Sequence, residues 1–130
     1  MGTVRIIRTM SKTILVIDDD KLIREGLVAL LKNAGQTLLE ASDGKQGLEV
    51  ALTQHPDLIV TDLRMPEMTG LEMISQLRGD AWGASVPVII LTNDETNDSI
   101  NQALQSGVTT YLAKNLDPTS LTEQILQTAG

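Results

Sequence analysis

Four short apolar runs in this sequence each give way to a polar residue suited to phosphoryl or metal chemistry. Residues 14–17 lead into Asp18, Asp19 and Asp20, residues 58–60 into Thr61 and Asp62, residues 88–91 into Thr92, and residues 111–113 into Lys114. If these runs are parallel neighbours, their carboxyl ends form one edge, which is where open α/β sheets bind ligands. Three carboxylates, a hydroxyl and an ammonium would then converge there. Adjacent carboxylates such as Asp18 and Asp19 repel, and a hard cation held by oxygen ligands offsets that repulsion. Mg²⁺ suits such a site because it takes one or two carboxylates and keeps several waters. A carboxylate beside a bound cation, here Asp62, can attack a phosphoryl group and form an aspartyl phosphate. Charge on the phosphoryl oxygens then calls for the ammonium of Lys114 and the hydroxyl of Thr92.

The elements that must position these groups are legible as an alternation of strand and helix. Strands are predicted at residues 13–17, 37–41, 57–62, 86–91 and 109–113. Between them, Ile23, Leu27, Leu30, Leu31 and Ala34 mark the inward face of a helix over residues 21–34, closed by Gly35. Leu48, Ala51 and Leu52 mark a second over residues 45–54, broken by His55 and Pro56. Leu71, Ile74 and Leu77 mark a third, and Ile100, Ala103 and Leu104 a fourth that stops at Gly107. Asp117 followed by Pro118 reads as an N-cap and first helical position, and Leu121, Ile125 and Leu126 give the last helix its stripe. Asp20 is read as a cap or first-turn acid. Alternation of this kind implies one α/β domain, a parallel sheet covered on both faces. Residues 12–130 are expected to form it. Residues 1–11 are expected to be a disordered extension, with an edge strand built on Val4, Ile6 and Ile7 as the alternative.

Composition narrows the functions that remain. The chain of 130 residues is 42% hydrophobic, enough for a real core. A net charge of −7 disfavours nucleic acid or an anionic membrane as direct partner. With one Trp, one Tyr and no Phe, no aromatic platform for bases or a flavin is expected. The chain has no cysteine, hence no thiolate metal site. No apolar run reaches bilayer length and no secretory signal is evident, so a cytoplasmic location is expected.

The segments ILVIDDD (14–20), DLIVTDLRMPEMTGLEM (57–73), PVIILTND (87–94) and SGVTTYLAKN (106–115) resemble the receiver domain of two-component response regulators. The resemblance implies a flavodoxin-like, doubly wound (βα)5 domain with a five-stranded parallel sheet in order 2-1-3-4-5. It implies Asp62 as phosphoacceptor, and Mg²⁺ held by Asp18, Asp19, Asp62 and the backbone carbonyl of Arg64. Lys114 would pair with Asp62 and then with the phosphoryl group. Thr92 would bond a phosphoryl oxygen, and Tyr111 would turn inward with it as a switch. The implied phosphodonor is a sensor histidine kinase or histidine phosphotransfer protein. The implied output is a change in the surface of the fourth helix, fifth strand and fifth helix, felt by a further protein or domain.

Two positions depart from the family pattern. Asn93 stands where a small residue usually follows the threonine, and is expected, with Arg64 and Asp94, above the opening of the site. Asn115 stands where a proline in a cis peptide usually follows the lysine. A cis bond before a non-proline residue costs about 2.5–4 kcal/mol, which places the geometry after Lys114 in question. These departures keep open a second reading, a receiver used only for phosphorylation-independent docking. An aspartyl-phosphate phosphatase fits less well, because Asp18 to Leu22 lacks the Asp-x-Asp-x-Thr pattern of such enzymes. A flavin binder fits poorly too, because the first loop is acidic where a phosphate would have to sit. His55 is read as a corner residue, Trp82 as the cover of a local apolar patch, and Met65 and Met68 as packing.

Overall fold

The computed structural model describes residues 11–93, 97–105 and 107–129. The expected disordered extension, apart from Ser11, its alternative strand at Val4, Ile6 and Ile7, and the expected position of Asp94 lie outside the described residues. So do Ser106, Gly130 and the side chain of Ile100.

Five strands alternate with five helices: β1 (Thr13–Ile17), α1 (Lys21–Asn33), β2 (Thr37–Ala41), α2 (Gly44–Gln54) and β3 (Leu58–Thr61) come first. Then follow α3 (Gly70–Arg78), β4 (Val88–Thr92), α4 (Asn97–Gln105), β5 (Thr110–Ala113) and α5 (Pro118–Ala129). The strands form one parallel sheet in the order β2-β1-β3-β4-β5. The fold class and strand order are those expected. Every residue of β3 and β4 is buried, as central parallel strands covered on both sides must be. The edge strand β2 carries exposed Thr37 and Glu40.

Alternate strand residues feed two core layers, as the period of two dictates. Leu15, Ile17, Ile59 and Ile90 pack with Ala51 of α2 and with Met73, Ile74 and Leu77 of α3. Ile14, Val16, Val60 and Leu91 pack on the other face with Leu27, Val28 and Leu31 of α1 and Leu121 and Ile125 of α5. No described helix is long and apolar enough to cross a membrane.

Several expected details differ. Helix α1 buries Leu27, Val28 and Leu31, while Ile23 is 36% exposed and Ala34 is an exposed C-cap. Ile23 lies in the first turn, just past the strand-end loop, where no sheet remains to cover. Helix α2 buries Gly44, Gly47 and Ala51, and Leu52 is exposed. Its small-residue face lets it approach β1 so closely that a Cβ on Gly47 would collide with the Ile17 side chain. On α4, Ala103 is buried but Leu104 is 55% exposed. Strand β4 begins at Val88, not residue 86: Pro87 has no N–H to donate, and the Val86 carbonyl accepts from Arg78 Nη1 at 2.7 Å. The limits of β3 and β5 shift by one residue.

Candidate functional site

The carboxyl ends of β1, β3, β4 and β5 bring the expected residues together. Asp18 continues β1, its N–H donating to the Ala41 carbonyl at 3.2 Å, and Asp62 continues β3, donating to the Ile17 carbonyl at 3.0 Å. Lys114 continues β5, donating to the Thr92 carbonyl at 3.1 Å. The parallel ladder thus fixes the backbone of each group before any side-chain contact is made.

Lys114 Nζ lies 2.8 Å from Asp62 Oδ2 and 2.9 Å from Asp18 Oδ2. Its side chain is 11% exposed, and those of Asp18 and Asp62 are 4% and 12% exposed. Burial opposes the charge on Lys114. The hydrogen bonds to Asp62 and Asp18, with the attraction of both carboxylates, outweigh it and hold the ammonium above its ordinary pKa. The other oxygens are also engaged. Asp62 Oδ1 accepts the Leu63 N–H at 2.6 Å, and Asp18 Oδ1 accepts the Asp20 N–H at 2.9 Å. Asp20 Oδ1 caps α1 by accepting from the N–H groups of Leu22 and Ile23, the role expected of it.

Asp19 is exposed, yet one carboxylate oxygen each from Asp18, Asp19 and Asp62 lie within 4.8 Å of one another. Among the described residues, Lys114 pairs with Asp18 and Asp62, two of these three carboxylates. An oxygen-rich set of this size and sign fits a hard divalent cation. Thr92 is 4% exposed. With Asp62, Arg64, Asn93 and Lys114 it lines an open pocket of ≈ 320 Å³. Tyr111 does not line that pocket. It is half-buried on β5, beside Ile90 in register and packed against the core layer of α2 and α3. Among the described residues no peptide is cis, so the bond between Lys114 and Asn115 is trans. Lys114 reaches both carboxylates without the geometry that the family pattern implies.

Two supporting residues escaped the sequence reading. Gly70 begins α3 where a Cβ would strike the Asp62 carbonyl, so the helix cap can press against the acceptor loop. Thr69 and Glu72 close that helix start with a capping box. The second is Arg24, whose Nη1 donates to the Asp18 carbonyl at 2.7 Å while its Nε donates to Glu40 Oε1 at 3.2 Å. A cation near a helix N-terminus opposes the macrodipole, and that mismatch is the signal that it has a specific partner. His55, at φ 47° the left-handed C-cap of α2, stacks on Trp82 with ring centroids 4.4 Å apart. The histidine is thus a corner residue, and part of what Trp82 covers.

The nitrate/nitrite response regulator protein NarL of Escherichia coli (strain K12) is 38% identical over 120 residues, covering 91% of this chain and 55% of that protein. The chain thus spans about half the length of this curated relative. The chemotaxis response regulator CheY4 of Vibrio cholerae superposes with a TM-score of 0.86 at 27% identity, over 92% of this chain and 99% of that one. The receiver domain of sensor histidine kinase PA1611 from Pseudomonas aeruginosa PAO1, solved with a magnesium ion coordinated in its active-site cleft, gives 0.85 at 27% identity, over 93% of this chain and 99% of that one. Residues 14–126 match the family model of the response regulator receiver domain. Sequence, strand order and the acidic strand-end site agree, and the chain belongs to the response regulator receiver family.

Proposed function

We propose that residues 12–130 form a phosphorylation-activated switch in which Asp62 is the acceptor. The observation that carries this reading is the shared ammonium of Lys114, 2.8 Å from Asp62 and 2.9 Å from Asp18 at the mouth of the pocket. An Asp62 oxygen attacks the phosphorus of a phosphohistidine. The P–N bond breaks, the imidazole nitrogen leaves with the bonding electrons, and an acyl phosphate forms. Lys114 faces the carboxylate before transfer and the phosphoryl oxygens after it. The Thr92 hydroxyl donates to one of those oxygens, and Tyr111, two residues before the end of β5, follows Thr92 inward.

Asp18, Asp19, Asp62 and the Arg64 carbonyl would hold Mg²⁺. The cation supplies neutralisation of charge that grows on the phosphoryl oxygens during transfer. The donor is a sensor histidine kinase or a histidine phosphotransfer protein, in the cytoplasm. The output is read from the exposed, amide-rich surface of α4 and α5, with Asn101, Gln105, Gln124 and Gln127, by a protein partner or a further domain and not by nucleic acid.

The test is incubation with a small phosphodonor and Mg²⁺, followed by intact mass. One phosphoryl group should add to the parent and none to Asp62→Asn. Equal incorporation in both would refute the assignment. No incorporation in the parent would favour the docking module.

A further inference from the structure

The acidic turn after β1 has a tether that leaves its carboxylates available. Arg24 is only partly accessible, with a side chain 15% exposed, and its guanidinium makes two divergent contacts. Nη1 donates to the main-chain carbonyl of Asp18 at 2.7 Å, and Nε donates to Glu40 Oε1 at 3.2 Å. Glu40 lies on the edge strand β2, so the fork spans from α1 across the sheet edge to the turn. The carbonyl it holds belongs to the peptide between Asp18 and Asp19. The direction of that peptide sets where the Asp19 carboxylate goes. Asp19 is exposed, so its placement depends on its backbone more than on packing. Asp18, by contrast, is buried and held through its own carboxylate by Lys114 and the Asp20 N–H.

We propose that Arg24 is a positioning residue for the cation site, acting through the Asp18 carbonyl to aim the Asp19 carboxylate at Asp18 and Asp62. This rests on the reading of Asp18, Asp19 and Asp62 as Mg²⁺ ligands. The chemistry favours an arginine for the task. A cation bonded to a carboxylate competes with a metal ion, as Lys114 must. Arg24 instead directs one N–H at a neutral carbonyl and another at Glu40, which offsets its charge. A lysine cannot reproduce the two-point fork from a single ammonium.

Charge and geometry predict opposite signs, which makes the idea testable. Removal of a positive charge beside an acidic site should by itself tighten Mg²⁺ binding. Loss of positioning should weaken it, by about tenfold if Arg24 acts as outer-shell partners of metal ligands commonly do. The experiment is titration of the full chain with Mg²⁺ by calorimetry, for the parent, Arg24→Met and Arg24→Lys, with circular dichroism to establish that each is folded. The expected result is weaker binding in both variants, including Arg24→Lys, which keeps the charge and the fold but not the fork. Parent-like binding in Arg24→Lys overturns the proposal, as does equal or tighter binding in folded Arg24→Met. If the parent itself binds no Mg²⁺, the metal-site reading fails and this proposal with it. Binding by the parent with unaffected variants removes only the role of Arg24.

Discussion

Removal of Lys114 should uncover the strain that it holds in check. Its ammonium faces two carboxylates at 2.8 and 2.9 Å. Each contact amounts to a gross attraction of about 6 kcal/mol at an effective dielectric constant of about 20. Desolvation cancels most of this, because withdrawal of each ion from water costs several kcal/mol. The net worth of the pair is therefore modest, but the cost of deleting one partner is not. Lys114→Met leaves Asp18, 4% exposed, facing Asp62 with no cation between them. Breaking a buried pair in this way costs about 3–5 kcal/mol, and the open mouth of the pocket puts the expected loss near the low end, about 3 kcal/mol.

Asp18→Asn provides the control. The amide oxygen can still accept the Asp20 N–H, and repulsion with Asp19 and Asp62 is relieved. In that background Lys114→Met should cost only about 1.5 kcal/mol, a coupling energy of about 1.5 kcal/mol. The assay is urea unfolding of the four proteins in metal-free buffer, with unchanged m-values required for comparison. A loss below about 1 kcal/mol for Lys114→Met, or effects additive to within about 0.5 kcal/mol, would refute the reasoning.

Three further outcomes follow from the same cluster. Mg²⁺ should raise the melting temperature of the parent, with a stabilisation of about 2.7 kcal/mol at one hundred times its Kd; Asp19→Asn should start more stable without metal and gain less, and equal melting shifts would contradict the shared site. Because Lys114 is held above its ordinary pKa of 10.5, its stabilising contribution is complete below that value and is lost as pH rises through the higher folded value. The stability gap between parent and Lys114→Met should accordingly narrow in alkaline denaturation series, and a gap constant with pH would count against the ion pair. Asn93 lines the pocket with Thr92, and if its amide shields the phosphoryl group from water, Asn93→Ala should lose phosphate faster at fixed Mg²⁺, as read by a dephosphorylation time course; an unchanged or slower loss would exclude shielding.

The strand ends were legible because two sequence signals coincide there. The strand runs are short and apolar, and four of the five stop at a residue that burial alone would not choose. Asp18, Asp62, Thr92 and Lys114 therefore stood out by position as well as by type, and the ladder places them together as expected. Helix faces were less legible where a small residue carries the contact. Periodicity weights large side chains, so Leu52 was expected inside, whereas Gly44 and Gly47 make the closest approach of α2. Arg24 escaped for a related reason. Its contact is to a main-chain carbonyl, which has no residue identity for a sequence pattern to display.

Asn115 tests how far a family pattern constrains the physics beneath it. The pattern implies a cis peptide after the lysine, but the bond here is trans and Lys114 still reaches Asp62 and Asp18. Here the long lysine stem brings Nζ to both carboxylates from a trans backbone. The backbone of Lys114 is anchored independently by its bond to the Thr92 carbonyl, the last rung between β4 and β5. That rung also joins the two residues expected to respond to a phosphoryl group, one through its hydroxyl and one through its ammonium. Movement of Thr92 toward the acceptor would therefore pull on the strand that carries both Lys114 and Tyr111. The half-buried Tyr111, with a polar tip and an apolar body, would gain burial in that movement, which would couple charge at the strand ends to packing beneath α4, whose Ala103 shares its core layer.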